Sequence, residues 1–231
     1  MKKMPRSFVI VLAVVALAVA PSIASAQSWT SWTSATLSCN GGVANWCGTV
    51  GGVGVTYTGG FAGGEIANGS LGSTNYWTPS NPYTQSSLTA PSNFTFIQFI
   101  NPISGVINFS SPVLNPYIAF ISVGQPGFGV TFNFGASPFT VLSNNNCATP
   151  AYWGCGSYST SGNTLTGSEF SGTAQFAGVY SSLAFTTTPT ENWYGISVGA
   201  ASVTPEPATM SLLATGLVGL AGISRRRKRA A

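Results

Sequence analysis

Residues 104–123 read Ser-Gly-Val-Ile-Asn-Phe-Ser-Ser-Pro-Val-Leu-Asn-Pro-Tyr-Ile-Ala-Phe-Ile-Ser-Val and carry two kinds of β pattern. In the first half, Ile107 and Phe109 alternate with polar neighbours such as Asn108, which is the period of a strand with one buried face. In the second half, Tyr117 to Val123 is almost continuously apolar, as in a strand that is covered on both faces. The stretch therefore predicts two strands of different burial in an all-β protein.

The same alternation continues on both sides of this stretch. Gly, Pro and Asn clusters such as Gln125-Pro126-Gly127 separate the apolar runs, and no segment of the body carries a helical stripe. Short strands at this spacing predict an antiparallel β-sandwich or jelly-roll-like single domain. The further strand candidates are Phe94–Ile100, Val130–Phe134, Phe139–Leu142, Gly172–Tyr180, Ser182–Thr188 and Trp193–Gly199.

The part that precedes these strands, Gln27 to Pro91, is rich in Gly and less periodic. Val53 to Thr58 is its one clear strand candidate, and Ser70 to Pro91 reads as a long loop because it is rich in Ser, Thr, Asn and Pro. We predict one exported domain, residues 27–203, with a loop-rich first part at 27–91. Its 177 residues (203 − 26) suffice for a single hydrophobic core.

The N-terminus has the organisation of a secretory signal peptide. Lys2, Lys3 and Arg6 precede an apolar run, Phe8 to Ala20, and Ala24-Ser25-Ala26 supplies the small residues that signal peptidase reads. Thirteen apolar residues are too few for a comfortable span, which needs about 20. We therefore expect signal peptidase to remove residues 1–26.

The C-terminus ends in an apolar segment followed by a basic cluster. Ala208 to Ile223 is uncharged, and its sixteen residues give roughly 24 Å of helix, a marginal span of the bilayer. By the positive-inside rule the basic cluster stays in the cytoplasm, which places the body outside. This cluster consists of Arg225, Arg226, Arg227, Lys228 and Arg229.

Pro205-Glu206-Pro207, the apolar segment behind it and the terminal Arg cluster together resemble the PEP-CTERM sorting signal of exosortase substrates. Motif, span and charge cluster follow one another in that order over residues 204–231. The resemblance implies that an exosortase recognises Pro205, Glu206 and Pro207, cuts near them, and releases the body or transfers it to an acceptor. It also implies an exported protein of the envelope or extracellular matrix, with exopolysaccharide as its surroundings. A plain C-terminal anchor is the competing interpretation.

Charge is distributed very unevenly along the chain. The net charge of +4 comes from eight basic residues, all of them in the two predicted processed ends. The body, Gln27 to Val203, has no Lys, Arg, His or Asp, and its three glutamates give it a formal charge of −3. Nucleic-acid binding through the body is excluded, because such binding needs a basic surface.

All four cysteines lie in the exported part, where disulfides persist. Cys39 and Cys47 share a spacing of eight with Cys147 and Cys155, and each pair has a Trp close by. Of the three connectivities, two local loops are favoured, each worth roughly 2–3 kcal/mol by loop entropy. A zinc site is the weaker alternative, because the body has no His and no C-x2-C spacing.

Catalysis finds little support in the body. A Ser or Cys nucleophile needs a His or Lys base, and neither occurs between Gln27 and Val203. A glycosidase pair drawn from Glu65, Glu169 and Glu191 is the remaining enzymatic hypothesis. We predict a protein that is not an enzyme and has no cofactor, with calcium bound by Glu and Asn oxygens as a minor alternative.

Sugar binding is the second functional hypothesis, because aromatic faces stack on the apolar faces of sugars and amides bind their hydroxyls. Large aromatic residues in polar, loop-like segments are expected to be exposed, and we single out Trp46, Trp77 and Trp153 as possible stacking residues. Alternatively, these side chains cover the disulfides and cap the sandwich. The other members of the set are Trp29, Trp32, Tyr76, Tyr83 and Tyr152.

A second, softer resemblance concerns Leu165 to Ala200, which is similar to the last strands of sandwich domains in other PEP-CTERM proteins. It implies a fold and no catalytic residues. The sequence thus predicts an exported, non-enzymatic β domain that a C-terminal helix holds in the membrane until an exosortase processes it.

Overall fold

The computed structural model describes residues 26–34, 46–60, 75–86, 88–92 and 95–202. Over these ranges the chain is all-β, and its one helical element is a single 3-10 turn, Asn81–Tyr83. None of the helical structure in these ranges is long and apolar enough to cross a bilayer. Residues 1–25 of the predicted signal peptide, the predicted spanning segment 208–223 and the basic tail 225–229 lie outside them, whereas Ala26, the last residue of the predicted signal peptide, is the first residue of the described part.

Fourteen strands make up the described part of the chain. The first seven are β1 (Ala26–Trp29), β2 (Ser31–Ser34), β3 (Trp46–Val50), β4 (Val53–Gly59), β5 (Ile97–Phe99), β6 (Ser104–Leu114) and β7 (Tyr117–Val123). The last seven are β8 (Val130–Asn133), β9 (Thr140–Asn144), β10 (Ser157–Ser161), β11 (Thr164–Ser168), β12 (Phe170–Gln175), β13 (Val179–Thr188) and β14 (Tyr194–Ser202).

The strands form two antiparallel sheets. One has the order β1-β14-β7-β12-β9, with β5 paired to the first half of β14 where β1 pairs with its second half. The other has the order β10-β11-β8-β13-β6-β4-β3-β2. The predicted all-β, sandwich-like architecture is confirmed, and residues Ala26–Val203 form one compact unit.

The main core lies between the two sheets and is rich in phenylalanine. Alternation along β6 and β8 turns Ile107, Phe109 and Phe132 inward, where they meet Phe120 of β7. The rings of Phe120 and Phe132 are 5.2 Å apart and nearly perpendicular, a favourable edge-to-face geometry. The alternation of apolar and polar residues along β6 and β8 therefore arises because every second side chain enters this core.

The six-stranded sheet is buried on its other face as well. β7 is almost fully buried, and its Ala119 and Ile121 point away from the main core into a second apolar cluster. That cluster is closed by the residues we call the cover segment, 75–92, which places Trp77 and Tyr83 against the sheet. The prediction that Tyr117 to Val123 is covered on both faces is confirmed, and the predicted long loop provides the cover.

Small residues on β14 make room for the rings in this second cluster. A Cβ added at Gly199 would lie 2.8 Å from Cε3 of Trp29, and one at Gly195 would lie 2.6 Å from Cδ2 of Phe96. Both rings thus rest directly on the strand backbone. Between the two glycines stands Ser197, which is likewise on the face turned to the cover segment.

Ser197 belongs to a row of small polar residues that crosses this face. Thr173 and Ser197 flank Ala119 in register, and Ser143 follows next to Thr173. The hydroxyls of Ser143, Thr173 and Ser197 are buried and lack a hydrogen-bond partner within the described ranges. The 3-10 turn of the cover segment lies against β9 and β12, the strands that carry Ser143 and Thr173.

Most strand predictions from Val53 onward are confirmed with shifted ends, but Gly172–Tyr180 is wrong as a single strand, because β12 ends at Gln175 and β13 begins at Val179. Five strands were not predicted. The missed strands are β1, β2, β3, β10 and β11. β10, for example, reads Ser-Tyr-Ser-Thr-Ser, and all five of its residues are exposed. Because neither face of β10 is buried, its sequence has no alternation of apolar and polar residues from which a strand could be predicted.

Candidate functional site

The connection between β9 and β10, residues 145–156, is closed by the Cys147–Cys155 disulfide. We call it the disulfide loop. Its tip is a tight turn in which Ala151 and Gly154 exchange backbone hydrogen bonds of 2.8 and 3.0 Å. Gly154 adopts φ +105°, a conformation that favours glycine, and the turn projects Tyr152 and Trp153 between its ends.

A single buried amide fixes this loop to the sandwich. Asn145 is 1% exposed, and its Nδ2 donates to the carbonyls of Gly154 at 3.0 Å and Glu169 at 3.1 Å. Its Oδ1 accepts a hydrogen bond of 2.8 Å from the backbone N–H of Ser171. Asn145 therefore joins the tip of the disulfide loop to the beginning of β12.

Four rings meet beside this loop and form what we call the aromatic patch: Tyr76, Tyr152, Trp153 and Trp193. Trp153 stacks on Tyr76 with 5.9 Å between ring centroids and 11° between planes. Trp193 contacts both of these rings at 5.3 Å, and Tyr152 meets them edge-on. The patch thus joins the cover segment, the disulfide loop and the β13–β14 connection.

The outer half of the patch faces solvent. Tyr152 is 49% exposed and Trp153 is 44% exposed, whereas Tyr76 and Trp193 are half-buried beneath them. Rings held by ring–ring contacts lose little rotamer freedom when a ligand covers them. Exposed, pre-ordered aromatic faces of this kind suit the apolar face of a sugar ring.

The exposure expected for Trp46 and Trp77 is wrong. Trp46 is 2% exposed because it lies on β3 and faces the main core. Trp77 is 1% exposed because the cover segment presses it onto Tyr83 and Phe96. Of the three predicted stacking residues, Trp153 alone reaches solvent.

The other aromatic residues of that set divide in the same way. Trp29, Trp32 and Tyr83 are buried and serve as core, which agrees with the capping role considered for them. Tyr76 and Tyr152 join Trp153 in the aromatic patch. Trp193 is the patch member that the sequence analysis did not single out, because it adjoins a strand candidate and was read as part of it.

The fold also brings two of the three glutamates together. Glu191 is 4% exposed, and its Oε2 accepts a hydrogen bond of 2.8 Å from the backbone N–H of Gly124. Glu169 accepts one of 2.6 Å from Oγ of Ser122 at Oε1. Ser122 and Glu169 both have left-handed backbone angles, φ 51° and 58°. Ser122 lies at the irregularity of the β7–β12 pairing, and Glu169 immediately precedes β12. Glu65 lies outside the described residues.

Burial shifts the protonation of both carboxyls. It raises the pKa of Glu191 to about 7, opposed by the Gly124 hydrogen bond and reinforced by the charge of Glu169. Burial likewise raises the pKa of Glu169, opposed by the Ser122 hydroxyl. A carboxyl as enclosed as Glu191 is poorly placed to meet a polysaccharide, whereas Glu169 is only partly buried.

Metal binding has no further support from the geometry. In the described ranges, His, Cys, Asp and Glu nowhere form a group of three that could hold a metal ion. The calcium hypothesis remains an untested prediction. Cys47 is disulfide-bonded, and its predicted partner Cys39 lies outside those ranges.

Comparison with known proteins identifies the C-terminal region. The family model for the PEP-CTERM protein-sorting motif matches residues 203–228. The chain carries a PEP-CTERM sorting signal. The matched range includes Pro205, Glu206 and Pro207, the predicted spanning segment, and Arg225 to Lys228 of the basic cluster. No curated protein and no solved structure shows significant similarity to the chain.

A PEP-CTERM signal implies an exosortase as partner, export of the protein, and membrane-anchored sorting before processing. The resemblance noted in the sequence is thereby confirmed for the C-terminal region. The match covers 26 residues (203 to 228) and does not extend over the sheets of the β domain. The role of the domain must therefore be argued from its own surface.

Proposed function

We propose that this protein is a non-enzymatic component of the cell envelope or extracellular matrix, which an exosortase sorts through the PEP-CTERM signal. The observation that carries the proposal is the family match at residues 203–228, at the end of an exported chain. Signal peptidase removes residues 1–26, and the segment 208–223 then holds the protein in the membrane. The exosortase cuts near Pro205-Glu206-Pro207 and frees the body from the basic tail.

The composition of the body supports a role without catalysis. It has no His, Lys or Asp to serve as a base, a Schiff-base amine or a metal ligand. Glu191, whose pKa is raised more than that of Glu169, is enclosed by the scaffold. If glutamates nevertheless served a glycosidase, Glu169→Gln and Glu191→Gln would each abolish cleavage of a polysaccharide by the wild type.

Mass spectrometry of the mature C-terminus tests the sorting proposal. We expect cells with the exosortase to yield a body that ends near Pro205, and cells without it to retain Ala231. A matched control, Pro205→Ala with Pro207→Ala, should retain Ala231 in both. Retention of Ala231 in cells that contain the enzyme would refute sorting by this route.

A second function, binding of exopolysaccharide, is favoured by the aromatic patch. Trp153 and Tyr152 are exposed, stacked on further rings, and held by a disulfide loop. A rigid aromatic platform at the edge of a polar, nearly uncharged domain suits a carbohydrate ligand. The β domain would then keep the processed protein within the polysaccharide that surrounds it.

Affinity electrophoresis through gels containing polysaccharide tests this second function. Trp153→Ala should weaken binding about tenfold, which corresponds to about 1.4 kcal/mol of lost stacking. Phe128→Ala is the matched control, because Phe128 is also 44% exposed and lies on a turn outside the patch. Equal mobility of both variants and the wild type would remove the patch from consideration.

A further inference from the structure

The outer face of the eight-stranded sheet is a regular field of hydroxyl and amide groups. One row of side chains crosses five strands, from β6 to β10, in direct register and spans about 19 Å at the usual strand spacing. It consists of Ser104, Thr186, Asn133, Thr164 and Ser161. In a neighbouring row, the hydroxyls of Thr131 and Thr166 hydrogen-bond to each other at 3.0 Å. None of the residues in these rows carries a charge.

A groove of about 230 Å³ opens on this face between β6, β13 and β8. Its apolar lining includes Val106 and Ala184, which pair with each other across the two strands. Its polar lining includes Ser104, Thr186 and Asn133, three successive members of the row. The groove therefore offers an apolar floor beside aligned hydrogen-bonding groups.

The negative charge of the domain favours neutral over anionic polysaccharides as ligands of this groove. Anionic polysaccharides bind proteins through Lys and Arg, and the body contains neither. Its three glutamates would repel a polyanion. Neutral sugars need what the groove has, namely apolar contact for C–H faces and hydroxyl or amide partners for their hydroxyls.

We propose that this groove binds a chain of neutral polysaccharide and that, together with the aromatic patch, it lets one domain bridge two such chains. The proposal rests on the glycan binding proposed for the patch. The half-buried rings of the patch pack in the cluster on the outer face of the six-stranded sheet, whereas the groove lies on the outer face of the eight-stranded sheet. Sites on opposite faces of a sandwich cannot follow one straight chain, so they cross-link.

Three variants separate the two sites. Ala184→Glu fills the floor of the groove with a longer, charged side chain, and Trp153→Ala removes one of the two exposed rings of the patch. Ser182→Glu is the matched control, because Ser182 is exposed on the same face of β13, two residues from Ala184 and outside the groove. Binding is measured by affinity electrophoresis in dextran, galactomannan and mixed-linkage β-glucan, with alginate as the anionic comparison. Cross-linking is measured by light scattering of the same glycans in solution.

We expect the wild type to bind at least one neutral glycan and to raise its light scattering, and to leave alginate unchanged. Ala184→Glu and Trp153→Ala should each still bind, at least about fivefold more weakly, without raising the scattering. The double variant should not bind, and Ser182→Glu should behave as the wild type does.

Several results would overturn the proposal. If Trp153→Ala alone abolished all binding, the groove would hold no glycan, while the function proposed for the patch would stand. If Ala184→Glu still cross-linked, bridging would not involve the groove. If analytical ultracentrifugation without glycan showed a dimer that Ala184→Glu dissociates, the face would dock a second copy. If the wild type bound no glycan, the groove and the patch would both fail as glycan sites, and the sorting proposal would remain.

Discussion

Glu191 is a buried carboxyl next to a second carboxyl, an environment that the sequence around it does not predict. Gly124 donates to its carboxylate from β7's end, and Glu169 adds a like charge from β12's beginning. The hydroxyl of Tyr194, whose pKa burial raises to about 12, is the other titratable group that faces it. With no Lys, Arg or His in the body, nothing basic there offsets the burial of this carboxyl.

The stability of the domain should therefore fall as the pH rises. Between about pH 4.5 and 7 the folded state keeps a proton on Glu191 that the unfolded chain has released, so the folded state binds more protons. The free energy of unfolding is then highest below pH 4.5 and decreases by up to about 3 kcal/mol by pH 7. Urea unfolding at pH 5 and pH 8 measures the difference.

Glu191→Gln provides the control for this prediction. The amide oxygen still accepts from the Gly124 N–H but carries no charge, so the variant should gain stability at pH 8. The stability of this variant should still fall as the pH rises, but by less, because burial also raises the pKa of Glu169. A wild type that is more stable at pH 8 than at pH 5 would contradict the assignment.

At the scale of elements, the disulfide loop has two separable roles. The loop closes over a separation of eight residues, and its closure should stabilise the domain by roughly 2–3 kcal/mol. It also holds Tyr152 and Trp153 against Tyr76 in the aromatic patch.

Replacing both cysteines of this loop, Cys147→Ser with Cys155→Ser, should lower the free energy of unfolding by roughly 2–3 kcal/mol while the sandwich still folds. Glycan binding at the patch should weaken even though the domain stays folded, because the rings are no longer pre-ordered. The double variant leaves the disulfide of Cys47 intact, which chemical reduction would not. An unchanged unfolding midpoint would show that closure of the disulfide does not stabilise the domain.

Elements with a buried face could be predicted from the sequence, and others could not. The apolar run of β7 predicts its double burial, because every residue from Ile118 to Val123 is buried and Ser122 is the one polar residue among them. β10 has no buried residue and therefore no pattern. The patch was foreseen at Trp153, but the sequence could not tell that Trp77 is buried, since that depends on which sheet the cover segment meets.

The pairing of the glutamates was equally hidden. Glu169 and Glu191 are 22 residues apart in the chain (191 − 169), and the register of β12, β7 and β14 alone brings them near one another. From the sequence alone, the three glutamates of the body could be counted, but which of them lie near one another could not be predicted.

At the scale of the whole molecule, each predicted processing step changes the net charge of the protein. The complete chain carries +4. Loss of residues 1–26 removes Lys2, Lys3 and Arg6 and leaves +1. Loss of the tail from Glu206 onward removes five basic residues and one acid and leaves −3, whereas a cut after Glu206 leaves −4.

Isoelectric focusing of cell and culture fractions should therefore resolve three forms. The precursor should focus at basic pH, the signal-processed form closer to neutrality, and the sorted body at acidic pH. Cells without the exosortase should lack the acidic form. A body that focuses near the precursor's position in wild-type cells would show that the basic tail is retained.

The row of buried hydroxyls beneath the cover segment has a consequence for how the domain opens. A buried hydroxyl without a partner among the described residues costs about 1–3 kcal/mol, and water would satisfy it if residues 75–92 lifted away. The regained hydration of Ser143, Thr173 and Ser197 opposes the apolar contacts of Trp77 that hold the segment down. We therefore expect the cover segment to detach before the two sheets separate.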